Sequence, residues 1–217
     1  MILCVFALIY ADIIFKIEIN KKRASIEPLV KLTQADMERV NESILSHARS
    51  HVELIPEIAN HLINSGGKRI RPMLTLAAAR MVGYAGDHHL KLATAVEFMH
   101  TATLLHDDVV DESELRRGRQ TANSLFGNAA SVLVGDFVYS RAFQMMVSVN
   151  SMRVMQILAD ATNVIAEGEV LQLMNMHDPE VTEDRYLQVI RSKTAKLFEA
   201  GTELGSLIAG APEQAIA

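Results

Sequence analysis

Three aspartates near the middle of the chain, Asp107, Asp108 and Asp111, have a spacing suited to metal chemistry. Residues four apart share one face of a helix, so Asp107 and Asp111 would present two carboxylates to the same side. Two carboxylates held so close repel each other, and a hard divalent cation relieves that repulsion. Mg²⁺ prefers oxygen ligands and commonly takes one or two carboxylates together with phosphate oxygens. The pair therefore predicts a magnesium site, with Asp108 beside it but rotated off that face.

Basic residues follow these acids closely in the chain, at Arg116, Arg117 and Arg119. A guanidinium group suits phosphate oxygens because its planar fork can donate two hydrogen bonds at once. Acids for a cation and bases for a phosphate together indicate a diphosphate substrate. The alternative is a solvated, salt-bridged surface, which is the usual meaning of a charge run. Apolar residues such as Phe98 precede the aspartates and indicate a buried helix. Because buried helices rarely end in three acids, the diphosphate-binding interpretation is favoured over a solvated surface.

A second basic segment, residues 66–72, reads Gly-Gly-Lys-Arg-Ile-Arg-Pro. Its glycines let the backbone approach a ligand, Pro72 suits the first turn of a helix, and the cations stand at that helix's positive end. This combination predicts an anion site. An ordinary glycine-terminated helix followed by solvated basic residues explains the segment as well, and from these residues alone both interpretations stay open.

Composition limits the class of protein. The chain has 217 residues, of which 49% are hydrophobic and 22% charged, enough for a substantial core in one domain. Its formal net charge of -5 argues against a nucleic-acid binder. A single cysteine, Cys4, excludes an internal disulfide framework and agrees with a reducing cytoplasm. Frequent Ala and Leu with only 5% aromatic residues predict an all-α fold.

The first residues differ from the rest of the chain. The apolar run at residues 1–15 is shorter than the ~20 residues that span a bilayer, and Asp12 interrupts it. We therefore expect residues 1–24 to be an apolar and basic extension, at most peripheral to a membrane, and residues 25–217 to form one domain. Helices are predicted after an N-cap at Thr33, and over about residues 52–63, 72–81, 88–110, 128–149, 152–174 and 183–209.

The order and spacing of these motifs resemble the trans-prenyl diphosphate synthase family, and within it the long-chain bacterial octaprenyl diphosphate synthases. The matching segments are residues 66–72, the Asp-Asp-x-x-Asp motif at 107–111, Arg116-Arg117-Gly118 and Lys193-Thr194-Ala195. The likeness extends from about residue 32 to about residue 210. It implies an all-α isoprenoid-synthase helical bundle with a deep central cavity, usually assembled as a homodimer.

The resemblance also implies an activity. Such enzymes are Mg²⁺-dependent prenyltransferases that condense isopentenyl diphosphate with an allylic diphosphate, here expected to be farnesyl diphosphate. The product is a long-chain all-trans polyprenyl diphosphate of octaprenyl type, a precursor of the ubiquinone side chain in isoprenoid biosynthesis. Preorganised positive charge would stabilise the departing diphosphate.

Site residues carry over from the family motifs one by one. By the resemblance, Asp107 and Asp111 ligate magnesium and Asp108 supports them. The residues expected to hold isopentenyl diphosphate are Lys68, Arg71, His100 and Arg117. Those expected to face the allylic diphosphate are Arg116, Lys193 and Thr194, of which Arg116 and Lys193 join the three aspartates in the catalytic set. Without the resemblance, His100 would be read as a satisfied core histidine.

Two small residues about one turn before Asp107, Ala102 and Thr103, leave space where a bulky side chain would block a growing product. In the family, residues at this level help to set product length. A long product is therefore expected, and a large aromatic at Ala102 should shorten it.

The resemblance has one departure. Family members carry a second Asp-rich motif on a later helix, and no segment after Lys193 resembles it. The chain is therefore expected to be the N-terminal part of the synthase bundle, incomplete at its C-terminus. Two alternatives to a working prenyltransferase follow: a truncated, non-catalytic fragment that binds diphosphates or pairs with a complete subunit, and a class I terpene cyclase. A cyclase has no use for the additional basic set at Lys68, Arg71 and Arg117.

Overall fold

The computed structural model describes residues 25–216, and the predicted extension over residues 1–24 lies outside the described part. The chain divides into two compact units, residues 1–31 and residues 32–217. Every predicted site residue belongs to the second unit. Most of the described residues lie in helices and very few in strands, which confirms the all-α prediction.

Ten α-helices, one π-helical turn and one short ribbon make up the described residues. The helices are α1 Glu27–His47, α2 Leu54–Ile63, α3 Ile70–Met81, α4 His88–Val110, α5 Ala122–Phe126, α6 Asn128–Val147, α7 Met152–Asn175, α8 Glu183–Val189, α9 Lys196–Ile208 and α10 Glu213–Ile216. The π-helical turn is Ile190–Ala195, between α8 and α9. The antiparallel ribbon, β1 Leu115–Arg116 and β2 Arg119–Gln120, lies between α4 and α5.

Helix α4 is the centre of the bundle and has the predicted bounds. Its middle turns are buried on nearly every side, since apolar or small residues follow one another there with little polar interruption. A helix without a polar face belongs inside a bundle. It packs against α3, α6 and α9. As a result, two different faces of α4 can each line a cavity.

The start of α1 corrects the prediction of an N-cap at Thr33. The helix begins at Glu27, whose N–H donates to Ser25 Oγ, and Pro28 occupies the first turn, where proline is well tolerated. Thr33 is buried inside the helix. Ser25 is thus the capping side chain, and Thr33 was mistaken for one.

Asp36, three residues after Thr33, ties α1 to α3. Its two carboxylate oxygens accept hydrogen bonds of 2.7 Å from Nε and Nη2 of Arg80. The hydrogen bond from Arg80 outweighs burial and lowers the pKa of Asp36. His89 of α4 lies fully buried with its Nε2 3.3 Å from the same carboxylate. This cluster fixes α1 against the two helices that carry the site.

Three local structures were not predicted. The ribbon and α5 lie between the helices predicted over 88–110 and 128–149, and the helix predicted over 183–209 contains the π-helical turn. Side-chain bonds to backbone hold the ribbon, since Thr121 Oγ1 donates to the Ser113 carbonyl at 2.6 Å and Asn123 Nδ2 donates to the Asp108 carbonyl at 3.1 Å. Such local side-chain bonds compete with regular helix and leave no periodic signal in the sequence.

Candidate functional site

A basic cavity of about 520 Å³ lies beside the loop that joins α2 to α3. The loop, one face of α4, the ribbon and α9 form its walls. All four residues that the resemblance assigned to isopentenyl diphosphate line it: Lys68, Arg71, His100 and Arg117. The structure therefore brings together residues that are up to 49 positions apart in the chain, from 68 to 117.

Two arginines take left-handed backbone conformations to shape this cavity. Arg69, the residue before α3, has a φ of 50°, and Arg117 at the tip of the ribbon has a φ of 52°. The Arg69 Nη1 lies 2.9 Å from Glu97 Oε1 of α4, which ties the loop to the central helix. Arg117 lies so close to Gly67 that a Cβ at Gly67 would be 2.9 Å from its Nη1. Glycine at 67 therefore allows the guanidinium to reach over the loop.

Arg71 is the most deeply placed cation of the basic cavity. Its guanidinium lies 4.3 Å from the centroid of the Phe198 ring, an arrangement in which the ring face attracts the cation. Its Nε is buried and has no hydrogen-bond partner within residues 25–216. Burial lowers the pKa of Arg71, and the charge of Glu97 partly offsets this. A buried donor without a partner is costly, so the site is suited to an acceptor from a ligand.

His100 and Glu97 respond to the same surroundings. Burial, together with the charges of Arg71 and Arg117, lowers the pKa of His100 to about 3, so the ring is neutral at physiological pH. Burial raises the pKa of the Glu97 carboxyl, against the opposing pull of Arg69 and Arg71. His100 faces the cavity and is not enclosed in the core. His100 is therefore a cavity-lining residue and not a core histidine.

An acidic cavity of about 330 Å³ lies on another face of α4. Asp107 opens into it, with its side chain 17% exposed. Opposite Asp107, Lys193 of the π-helical turn places its Nζ 3.6 Å from Asp107 Oδ2 and 2.5 Å from Glu169 Oε2. Burial raises the pKa of Asp107, with Asp111 adding to the rise and Lys193 opposing it. Asp111, one turn later, is exposed at the end of α4.

Asp108 points away from this cavity and is 1% exposed. It receives the guanidinium of Arg116, whose Nη2 is 2.7 Å from Asp108 Oδ1. That hydrogen bond is the largest influence on Arg116 and raises its pKa despite partial burial. Asp108 therefore supports the site by holding Arg116.

Six predicted site residues are not part of either cavity's lining: Ala102, Asp108, Asp111, Arg116, Lys193 and Thr194. Ala102 is fully buried in the core, so of the two expected chain-length residues only Thr103 lines the acidic cavity. The helix rotates by about 100° per residue, which turns neighbouring positions to different surroundings. Thr194 is exposed next to Lys193 and also lies outside both linings.

Glu169 is the site residue that sequence reasoning missed. It lines the acidic cavity and makes the short ion pair with Lys193. A signal was present, because Glu169 follows the buried Ile165 by four residues and so shares its inward face of α7. An acid on the apolar stripe of an amphipathic helix marks a candidate site.

The residues at the acidic cavity fit a divalent cation by their chemistry. Within residues 25–216, no group of three or more His, Cys, Asp or Glu side chains is close enough to hold a metal ion unaided. Asp107 and Asp111 offer carboxylate oxygens one turn apart, and Mg²⁺ usually completes its octahedron with waters and substrate phosphates. The Lys193 ammonium lies 3.6 Å from Asp107 Oδ2, as expected near a carboxylate that attracts a cation.

The sequence profile of polyprenyl synthetases matches residues 52–217. The chain belongs to the polyprenyl synthetase family.

Individual polyprenyl synthetase relatives agree with this assignment. The chain is 56% identical to the octaprenyl diphosphate synthase of Escherichia coli (strain K12) over 191 residues, which are 88% of this chain and 59% of that protein. It is 54% identical to the octaprenyl diphosphate synthase of Haemophilus influenzae over 189 residues, 87% of this chain and 57% of that protein. The chain thus spans less than two thirds of the length of these relatives.

Solved polyprenyl synthetase structures have the same fold. The crystal structure of a polyprenyl synthase from Caulobacter crescentus CB15, complexed with calcium and isoprenyl diphosphate, shares 54% identity with a TM-score of 0.88, covering 90% of this chain and 60% of that one. A decaprenyl diphosphate synthase from Rhodobacter capsulatus shares 57% identity with a TM-score of 0.84, covering 87% and 58%. In the described part of this polyprenyl synthetase chain, no helix combines the length and apolarity needed to cross a membrane.

Proposed function

We propose that this chain carries the two diphosphate-binding sites of a Mg²⁺-dependent prenyltransferase. In this proposal, isopentenyl diphosphate and an allylic diphosphate, such as farnesyl diphosphate, condense to a long-chain polyprenyl diphosphate. The observation that supports it most is the presence of a basic and an acidic cavity on separate faces of α4. A reaction that joins two diphosphates, only one of which must ionise, needs two sites of different character.

The basic cavity suits isopentenyl diphosphate because its anion can be bound there by arginine and lysine. Arg71 supplies a buried donor that lacks a partner in the described part of the chain, and Arg117 reaches over the loop from the ribbon. His100, being neutral, adds a hydrogen bond and no charge. Glu97 keeps Arg69 attached to α4, which leaves the remaining cations for the ligand.

The acidic cavity suits the allylic diphosphate bound with Mg²⁺, which would neutralise charge on the departing diphosphate. Asp107 and Asp111 are the residues proposed to hold the ion. Lys193 and Arg116 flank the acids and would stabilise the diphosphate as its C–O bond breaks and the electron pair stays on oxygen. The alkene of the second substrate then forms the new C–C bond, and loss of a proton restores a double bond.

Deeper in the acidic cavity the walls are apolar, which suits a hydrocarbon chain. Met99 and Thr103 of α4 face Ile165 and Ala166 of α7, with Leu197 of α9 beside them. An apolar wall also excludes water from a carbocation. An octaprenyl-like product agrees with the names of the relatives from Escherichia coli and Haemophilus influenzae, and a ubiquinone side-chain precursor would follow from it.

Assembly and location form part of the same proposal. Large apolar side chains are exposed on α6 and α7, among them Leu133 at 68% and Met174 at 68%. Exposed apolar surface of this kind supports burial against further protein, and a homodimer is the assembly that we propose. We place the protein in the cytoplasm, with at most a peripheral association with membranes.

A second candidate function is a non-catalytic diphosphate-binding or subunit-pairing fragment. It is favoured by the exposed apolar side chains of α6 and α7, such as Leu133, which a complete subunit would cover. Turnover separates the two candidates. The purified chain is incubated with labelled isopentenyl diphosphate, farnesyl diphosphate and Mg²⁺, and products are separated by chain length. Labelled polyprenyl products support the prenyltransferase; their absence, with both ligands still bound in calorimetry, supports the fragment.

A further inference from the structure

Glu169 makes the shortest ion pair of the acidic cavity, although none of the family motifs that identify this chain contains it. Its Oε2 lies 2.5 Å from Lys193 Nζ, whereas Asp107 Oδ2 lies 3.6 Å from the same ammonium. The side chains of Lys193 and Glu169 are only 21% and 30% exposed, so water screens their attraction incompletely. The ammonium is therefore held toward α7, at a distance from Asp107.

We propose that Glu169 is a positioning residue that keeps the Lys193 ammonium off the Asp107 carboxylate, so that Asp107 stays available to the divalent cation. This inference rests on the function proposed above and deepens it. An ammonium and Mg²⁺ compete for the same carboxylate oxygens. Because Glu169 gives the ammonium a nearer partner, Mg²⁺ can bind the Asp107 carboxylate without displacing Lys193 from it.

The backbone around Lys193 is shaped for this arrangement. Lys193 lies in the π-helical turn Ile190–Ala195, and such turns widen a helix locally and often occur at functional sites. The turn packs so closely on α7 that a Cβ at Gly168 would be 2.7 Å from Ser192 Cβ and 2.9 Å from Lys193 N. Glycine at 168 therefore lets Lys193 approach both Glu169 and Asp107.

The ammonium can serve a ligand while it remains paired. A lysine ammonium has three N–H donors, and the bond to Glu169 uses one of them. The remaining donors are free to turn toward a diphosphate beside Asp107. The carboxylates that act on Lys193 are Glu169, Asp107 and Asp111. If the charge of Glu169 is removed, Asp107 and Asp111 are the carboxylates that remain to attract the ammonium among the described residues.

The test compares Glu169→Gln, which keeps the size and removes the charge, with Glu167→Gln on the same helix. Glu167 is exposed and bonds only to Asn163 among the described residues, so it is a matched control. Calorimetry measures binding of farnesyl S-thiolodiphosphate, which resists ionisation, at a series of Mg²⁺ concentrations. The same series is run for Lys193→Gln and for the double variant. Circular dichroism checks that each variant folds, and Glu169→Asp, which keeps the charge, provides a rescue.

We expect Glu169→Gln to need about fivefold more Mg²⁺ for half-maximal binding, the scale of one partly exposed ion pair. Glu167→Gln should match the wild type, and Glu169→Asp should lie between the wild type and Glu169→Gln. In the Lys193→Gln background, Glu169→Gln should have no further effect. An unchanged Mg²⁺ requirement in Glu169→Gln, or the same increase without Lys193, would overturn the positioning role. If the wild type fails to bind the analogue at any Mg²⁺ concentration, the proposed function fails and the positioning role falls with it.

Discussion

Arg116 donates two hydrogen bonds to one carboxylate oxygen of Asp108, with its Nη2 2.7 Å and its Nε 3.0 Å from Asp108 Oδ1. Two neighbouring aspartates of the motif therefore have different surroundings. Asp107 opens into the cavity, whereas Asp108 faces inward and holds the arginine in place. The mutations that follow separate the roles of these residues.

Replacing Asp108 with alanine should destabilise the fold. The change leaves the Arg116 guanidinium, 26% exposed, without its partner, and such a loss costs about 2 kcal/mol or more when the pair is largely buried. Urea unfolding followed by circular dichroism measures the free energy of unfolding. Glu114→Ala, at an exposed position in the same segment, should change it by less than about 0.5 kcal/mol. Equal stability of the two variants would contradict the structural role of Asp108.

Replacing Arg71 with methionine should weaken binding of isopentenyl diphosphate. Methionine keeps an apolar side chain beside Phe198 but removes the charged donors, and a charged hydrogen bond contributes about 1.5–3 kcal/mol. The dissociation constant from calorimetry should therefore rise by at least about tenfold. Arg185→Met, a surface arginine paired with Asp178, serves as the control. If both variants bind like the wild type, the basic cavity is not the site.

The neutral state of His100 predicts a pH dependence of stability. Its pKa is about 3 in the folded chain and starts from 6.5. Between these values the unfolded chain binds a proton that the folded chain does not, so stability falls as pH falls through that window. His100→Gln removes this contribution. From about pH 7.5 to about pH 5.5, the wild type should lose roughly 1 kcal/mol more than His100→Gln. Parallel curves for the two proteins would contradict the low pKa.

Tyrosine at Thr103 and at Ala102 should have different effects. Thr103 lines the acidic cavity, so Thr103→Tyr should fill it and weaken binding of geranylgeranyl diphosphate more than binding of farnesyl diphosphate. Ala102 is fully buried, so Ala102→Tyr should overpack the core and cost at least about 1–3 kcal/mol of stability. Calorimetry and urea unfolding distinguish the two outcomes. A stable Ala102→Tyr with a selective loss of the longer ligand would support the expected role of Ala102 in setting product length.

Much of the fold was predictable because long periodic helices leave a strong sequence signal. The bounds of α4, His88–Val110, follow from its apolar run and the acids at its end. The start of α1 was missed because Thr33 has the side chain of a helix cap but lies within the helix. The π-helical turn was missed because it packs closely on Gly168 of α7. The hydrophobic periodicity of a sequence carries no information about such a contact between two helices.

The site residues that belong to the family motifs could be predicted from the sequence. Lys68, Arg71, His100 and Arg117 were expected to meet, and they line one cavity. The pairing of Asp108 with Arg116 and of Lys193 with Glu169 was not predicted. Both pairs join residues through side-chain geometry that only the folded backbone determines.

The central claim is that α4 carries two independent diphosphate sites, and paired calorimetric titrations test it most directly. Asp107→Ala with Asp111→Ala should abolish Mg²⁺-dependent binding of farnesyl S-thiolodiphosphate and leave isopentenyl diphosphate binding intact. Arg71→Met with Arg117→Met should have the opposite effect. Loss of both ligands in either double variant that still folds, or retention of both in the aspartate variant, would contradict the account.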